Sequence, residues 1–205
     1  MHKHHLFHMK HEGNTMTNTR AIYVNCYESY RQGHDHGVWV DLEKHHTRKD
    51  VLTVIDSMLR VSPAKDAESW EITDWVGIPD DMSSLSNIIS YNEALVWGAN
   101  PVALDELREH LIGRGFEPHD LIEYYKCLFQ GEWPSIEDFA EHCFDRQIEG
   151  LPSAVRNAIC WSNVAEQMSL EAAHNTRDKV LFWCTDYESG HTLVFYGTIA
   201  HFNNC

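Results

Sequence analysis

The chain has 205 residues and lacks any uninterrupted apolar run of roughly 18 or more, so nothing in it reads as a membrane-spanning helix. Its opening residues, MHKHHLFHMKH, lack the apolar core that an export signal needs. There is no C-x-x-C pair. The six cysteines are scattered, which argues against a disulfide framework or a zinc ribbon and for reduced thiols in the cytoplasm. There is no G-x-G-x-x-G, no phosphate-binding loop, no G-x-S-x-G and no H-E-x-x-H, so no cofactor is expected and no catalytic signature is present. The deepest deficit is of basic residues: between Asp66 and Leu107 there is no Lys or Arg. Nucleic acids are held mainly by Lys and Arg against phosphate, so a formal net charge of −15 speaks against direct nucleic-acid binding.

What the chain does have is acid in one place. Residues 66–150 hold 19 acidic and 4 basic side chains, a net of −15, while the flanks 1–65 and 151–205 carry 12 of each and cancel. Apolar residues make up 43% of the chain and aromatics 11%, enough to build a core. The acidic block itself carries Trp, Leu, Ile, Phe and Tyr at helical spacing, so it reads as a folded acidic surface rather than a solvated tail.

The periodicity predicts an α+β chain in three small modules behind a disordered His-rich leader (1–20). The first, 21–79, is α+β. Ala21–Tyr27 and Gly37–Leu42 alternate and form a hairpin, Thr47 opens a helix with an apolar face at Val51, Leu52, Ile55, Met58 and Leu59, and Trp70–Val76 alternates again. The second, 80–150, is all helical. Four short helices are expected: Ser84–Trp97, one opened by the Asn100-Pro101 cap, Asp120–Phe129, and one capped by Ser135 with Asp138 three residues on. The third, 151–205, has one or two helices and a hairpin, Lys179–Thr185 and Thr192–Thr198.

The candidate binding surface is the acidic block. Its densest part is Glu123, Glu132, Glu137, Asp138, Glu141, Asp145 and Glu149, extended by Asp66, Glu68, Glu71, Asp74, Asp80, Asp81, Asp105, Glu106 and Glu109. Glu137, Glu141 and Asp145 recur at i, i+4, i+8, which places carboxylates about 6 Å apart along one helical face. Like charges at that spacing cost stability, and a helix shaped by stability alone would alternate them with Lys. A duplex likewise presents negative charges a few ångströms apart. Two readings from other classes stand beside this one. His34, Asp35 and His36, with His45-His46 nearby, suggest a metal-dependent hydrolase, although the spacing matches no zinc signature. The acid also suits an adaptor for some other basic host protein. Cys143, next to His142, falls on the apolar side of its helix and reads as core rather than as a nucleophile.

Four stretches, in order, resemble the ArdA antirestriction family. They are Ala21-Ile-Tyr-Val-Asn-Cys-Tyr-Glu-Ser-Tyr30 followed by Gly37-Val-Trp-Val-Asp-Leu-Glu43; Asp74-Trp-Val-Gly-Ile-Pro79; Gln130-Gly-Glu-Trp133 followed by Ser135–Glu141; and Leu151-Pro152 through Ile159 with Trp161 and Val164-Ala165. The resemblance covers about residues 21–185. It implies an elongated, non-enzymatic DNA mimic encoded on mobile elements, usually a homodimer, that occupies the DNA-binding groove of type I restriction–modification enzymes. The leader and the tail from about Gly190 lie outside it. Residues 151–205 also depart from the family's acidity, with five acids against three bases, and Arg156 is a base where acid is expected.

Overall fold

The computed structural model describes residues 19–116, 120–175 and 179–199. The leader, apart from Thr19 and Arg20, and the last six residues lie outside that range. The described chain is α+β, with two three-stranded antiparallel sheets, and divides into two compact units.

The first unit runs to Asp81. Strand β1 (Ala21–Cys26) is central, flanked by β2 (Gly37–Asp41) and β3 (Trp70–Val76). The anticipated hairpin is present, but its connection carries one helical turn, α1 (Tyr27–Arg31), where the sequence reads as strand end and turn. Alternation sends Ile22, Val24, Val40 and Leu42 to one side of the sheet. Together with Val51, Ile55 and Met58 of α2 (Arg48–Arg60) they form the buried core of this unit.

The second unit contains α3 (Leu85–Trp97), α4 (Pro101–Gly113), α5 (Leu121–Leu128), β4 (Phe129–Trp133), α6 (Ile136–Ile148), α7 (Ser153–Arg156), α8 (Trp161–Asn175), β5 (Lys179–Thr185) and β6 (Thr192–Thr198). Strand β4 corrects the all-helical reading of 80–150. Residues read as a helix end and a turn are hydrogen-bonded to β6, so the sheet order is β4-β6-β5. The reason is tertiary. Phe129, Phe195 and Phe182 stand in one row across the three strands, with ring centroids 5.3 and 4.6 Å apart. Tyr125 of α5 packs on that row 4.7 Å from Phe129, and His110 of α4 stacks 4.0 Å from Phe182. The other side of the sheet, Leu181 and Val194, is covered by Phe139 of α6 and Ala172 of α8. Helices therefore bury both faces of a short sheet.

Candidate functional site: an acidic surface on capped helices

Thirteen of the sixteen acidic residues chosen from the sequence are exposed, and Glu71, Asp105 and Glu137 are half-buried. They do not lie on one unit. Asp66, Glu68, Glu71, Asp74, Asp80 and Asp81 belong to the first; Asp105, Glu106, Glu109, Glu123, Glu132, Glu137, Asp138, Glu141, Asp145 and Glu149 belong to the second. Asp120, exposed at the start of α5, is a further member that the same charge block signals.

The second unit holds its carboxylates through local rules. In α4, Leu104, Leu107 and Leu111 face inward and leave Glu106 and Glu109 in solvent. Asn100 caps that helix by accepting from the Val102 and Ala103 amides at 2.9 and 3.2 Å. Asp105 is drawn half inside by the Tyr91 hydroxyl, which donates to it at 2.9 Å. In α6, Ser135 Oγ accepts from the Asp138 amide at 3.1 Å and in turn donates to the Asp138 carboxylate. The Ser135 cap read from the sequence is therefore in place. Phe139 and Ala140 point to the core, Ile148 is buried too, and Glu141 and Asp145 are exposed on the outer side. Glu132 is braced on β4, where it accepts from Asn100 Nδ2 at 3.5 Å and lies 3.5 Å from His191 Nδ1.

Of the four bases of the block, one is buried, two are engaged by neighbouring groups and one is exposed. Arg108 is buried with 5% exposure, its guanidinium 3.8 Å from Glu109. Arg114 donates to the Lys179 carbonyl at 2.9 Å. Lys126 sits 2.9 Å from Glu123 and over the Trp97 ring. Arg146 remains exposed in the last turn of α6, where a cation suits the helix dipole.

The His34–Asp35–His36 cluster is not assembled for a metal. Asp35 Oδ1 accepts from the Tyr23 hydroxyl at 3.0 Å and from Asn25 Nδ2 at 3.4 Å. The His36 ring lies 2.9 Å from the Met58 carbonyl oxygen. Among the described residues, no group of three or more His, Cys, Asp or Glu is arranged to hold a metal ion. Cys143 is half-buried against the Phe139–Val194 cluster, and burial pushes its thiol up, away from a reactive thiolate. No helix among the described residues is long and apolar enough to cross a membrane.

One feature escaped the reading of the sequence. Tyr23 and Trp39 meet with ring centroids 5.3 Å apart on the solvent side of the first sheet. The signal was available, because both positions have the opposite parity to the buried Ile22, Val24 and Val40.

Comparison with known proteins bears on this surface. The family model described as "Antirestriction protein (ArdA)" matches residues 22–181. The chain is also 28% identical over 114 residues to acetyl-coenzyme A synthetases of Helicobacter pylori strains G27 and P12, and 27% identical over 114 residues to that of Helicobacter acinonychis strain Sheeba. Those matches cover 54% of this chain and 17% of each synthetase, so the chain spans about a sixth of the relatives it matches. The family model covers most of the chain, which belongs to the ArdA antirestriction family.

Proposed function

We propose that this member of the ArdA family is a DNA mimic, acting in the cytoplasm, that occupies the DNA-binding groove of type I restriction–modification enzymes and blocks them without chemistry. The observation that carries the reading is the separation of charge on the second unit. Carboxylates stand outward on capped helices whose inner faces are locked in the core, while Arg108, Arg114 and Lys126 are buried or engaged. Such a surface offers a groove lined with Lys and Arg a fixed pattern of negative charge, and little ordering entropy is lost on binding. Affinity is spread over many ion pairs, so it falls with salt.

In charge the chain keeps the order 21–79, 80–150, 151–205, with the acid concentrated in the middle and little in the last part. We take the protein to act as a homodimer, each copy contributing its acidic stretch. The synthetase relatives do not alter this reading, because the likeness is under 30% and covers 17% of those proteins.

The test is plating of unmodified phage on a host with an active type I system. The intact gene should raise plating efficiency, and reversal of Glu137, Glu141, Asp145 and Glu149 together should abolish the effect. Single neutralisations should matter little. Full protection by the fourfold variant would refute the mimic reading.

A further inference from the structure

We propose that the solvent-facing side of the first sheet is an arginine-reading surface, on which a guanidinium of the target's DNA-binding face stacks against Trp39 and pairs with the carboxylates around it. This deepens the inhibitor reading above and rests on it.

The register defines the surface. Tyr23 stands opposite Trp39 on β2 and Asp74 on β3, so Trp39, Tyr23 and Asp74 form one row across the sheet, pointing away from the core. The row on one side is Asp41, Ala21 and Val76, and on the other Gly37, Asn25 and Glu71. Trp39 is 44% exposed and Val76 50%. None of the residues of the three strands is Lys or Arg. Trp39 packs on Tyr23, with Asp74 at the far end of its row and Asp41 two residues along β2, the latter already paired with Lys44 at 2.8 Å.

The aromatic pair is built into place. The Tyr23 ring lies over Gly37, where an added Cβ would sit 2.6 Å from Cζ and Oη. The Tyr23 hydroxyl is spent on Asp35. A second observation is independent of exposure. Asn25 is only 4% exposed, its amide nitrogen donates to Asp35, and its Oδ1 has no hydrogen-bond partner among the described residues. A buried acceptor without a donor is costly, and this one sits beside a carboxylate. Beneath the aromatic pair the face thus holds an acceptor still unmatched by any donor of the described chain.

Arginine suits the exposed ring and the carboxylates of this face. Its guanidinium is planar, stacks on an aromatic face, and carries five N–H donors; a lysine ammonium is a compact, strongly hydrated charge that gains less from the ring. The carboxylates exclude a phosphate ligand. A second copy of the same sheet face is a poorer partner, since the strands carry no cation and Lys44, at the end of β2, is paired with Asp41 at 2.8 Å.

The experiment uses the full chain at low salt. Labelled hexa-arginine and hexa-lysine peptides are titrated by fluorescence anisotropy, and the Trp39 indole N–H is followed by NMR, assigned by its loss in Trp39→Leu. A surface of carboxylates alone binds both peptides by charge. We expect hexa-arginine to move the Trp39 signal more than hexa-lysine. Trp39→Leu, which keeps apolar bulk without the ring, should weaken hexa-arginine about 3- to 10-fold and leave hexa-lysine within about 2-fold. Asp74→Asn should weaken both. Equal effects of Trp39→Leu on the two peptides, or a Trp39 signal indifferent to hexa-arginine, overturns the inference. If Trp39→Leu fails to fold, the indole titration of the unaltered protein still decides. Unchanged inhibition in Trp39→Leu, with inhibition lost in the fourfold α6 reversal, refutes arginine reading and leaves mimicry standing. Inhibition retained by both variants refutes the two together.

Discussion

Replacing Glu141 by Lys should make the protein more stable and a poorer inhibitor at once. Glu141 is exposed in the middle of α6, one turn from Glu137 and one turn from Asp145. Each like-charge pair at i, i+4 costs about 0.2–0.5 kcal/mol, and an opposite pair contributes about as much in the other sense. The substitution converts two repulsive pairs into two attractive ones. The new lysine pairs with Glu137 in the better orientation, acid before base, and with Asp145 in the poorer one, so the net gain is about 1 kcal/mol at low salt. For a chain of this size that is a rise in Tm of about 2–4 °C. Urea unfolding in 20 mM and in 500 mM NaCl provides the assay. The gain should appear at low salt and shrink at high salt, because only the Coulomb contribution is screened. In parallel, inhibition of a type I enzyme should weaken modestly, about 2- to 5-fold, since one of many contacts has changed sign. A Glu141→Lys protein no more stable than the parent at low salt would refute the claim that these carboxylates are held against their own repulsion. A gain of the same size at both salt concentrations would refute its electrostatic origin.

Other tests bear on the fold beneath the surface. Gly37→Ala should cost about 2 kcal/mol or more in urea unfolding, because its Cβ would lie 2.6 Å from the Tyr23 ring and 2.7 Å from the Val24 carbonyl oxygen. The near-ultraviolet circular dichroism of the Tyr23–Trp39 pair should weaken with it. Ser90→Ala should cost about 1–3 kcal/mol, since Ser90 Oγ is the buried acceptor, at 2.8 Å, for the Leu121 amide that opens α5. His110 gives a pH dependence. Burial, aided by Arg114, pushes its imidazole down to about 4. Between the unfolded value near 6.5 and that folded value, the unfolded chain takes up a proton that the folded chain refuses. Its contribution is complete above about pH 6.5 and is lost as pH falls toward 4, by about 1–2 kcal/mol after allowing for solvent screening of a partly exposed ring. His110→Phe, which can keep the stack on Phe182, should flatten that dependence relative to the parent; parallel pH curves would refute the assignment.

Local pattern carried the elements that announce themselves locally. The cap at Asn100, the Ser135–Asp138 pair, the hairpin around Asp186–Gly190 and the α2 face all depend on residues within a turn or two of one another, and each is in the structure. Strand β4 was not legible. In sequence, Phe129-Gln-Gly-Glu-Trp133 has a central glycine and follows a helical stretch, so it looks like a helix end, and only pairing with β6, far along the chain, makes it a strand. The single turn α1 was missed because a short helix has too few residues to show a period. For the surface, charge alone located the carboxylates, since an acid with no buried partner goes to solvent. What the sequence does not display is the fate of the bases. Helical spacing puts Arg108 on the Leu104–Leu107–Leu111 face, but it does not say that a guanidinium stays there at 5% exposure.

The strand order β4-β6-β5 has a consequence for how the protein is made. The middle strand of the second sheet is the last of its strands along the chain. Until Thr192–Thr198 has left the ribosome, β4 and β5 have no common partner, and the Phe129–Phe195–Phe182 row lacks its centre. The acidic helices therefore spend their synthesis as amphipathic segments without a sheet to rest on, whereas the first sheet closes with residues up to Val76. Charge on their outer faces helps keep such a waiting chain from associating with its neighbours. On the function proposed above, the negative surface would then serve twice, first as a guard during synthesis and afterwards as the binding face.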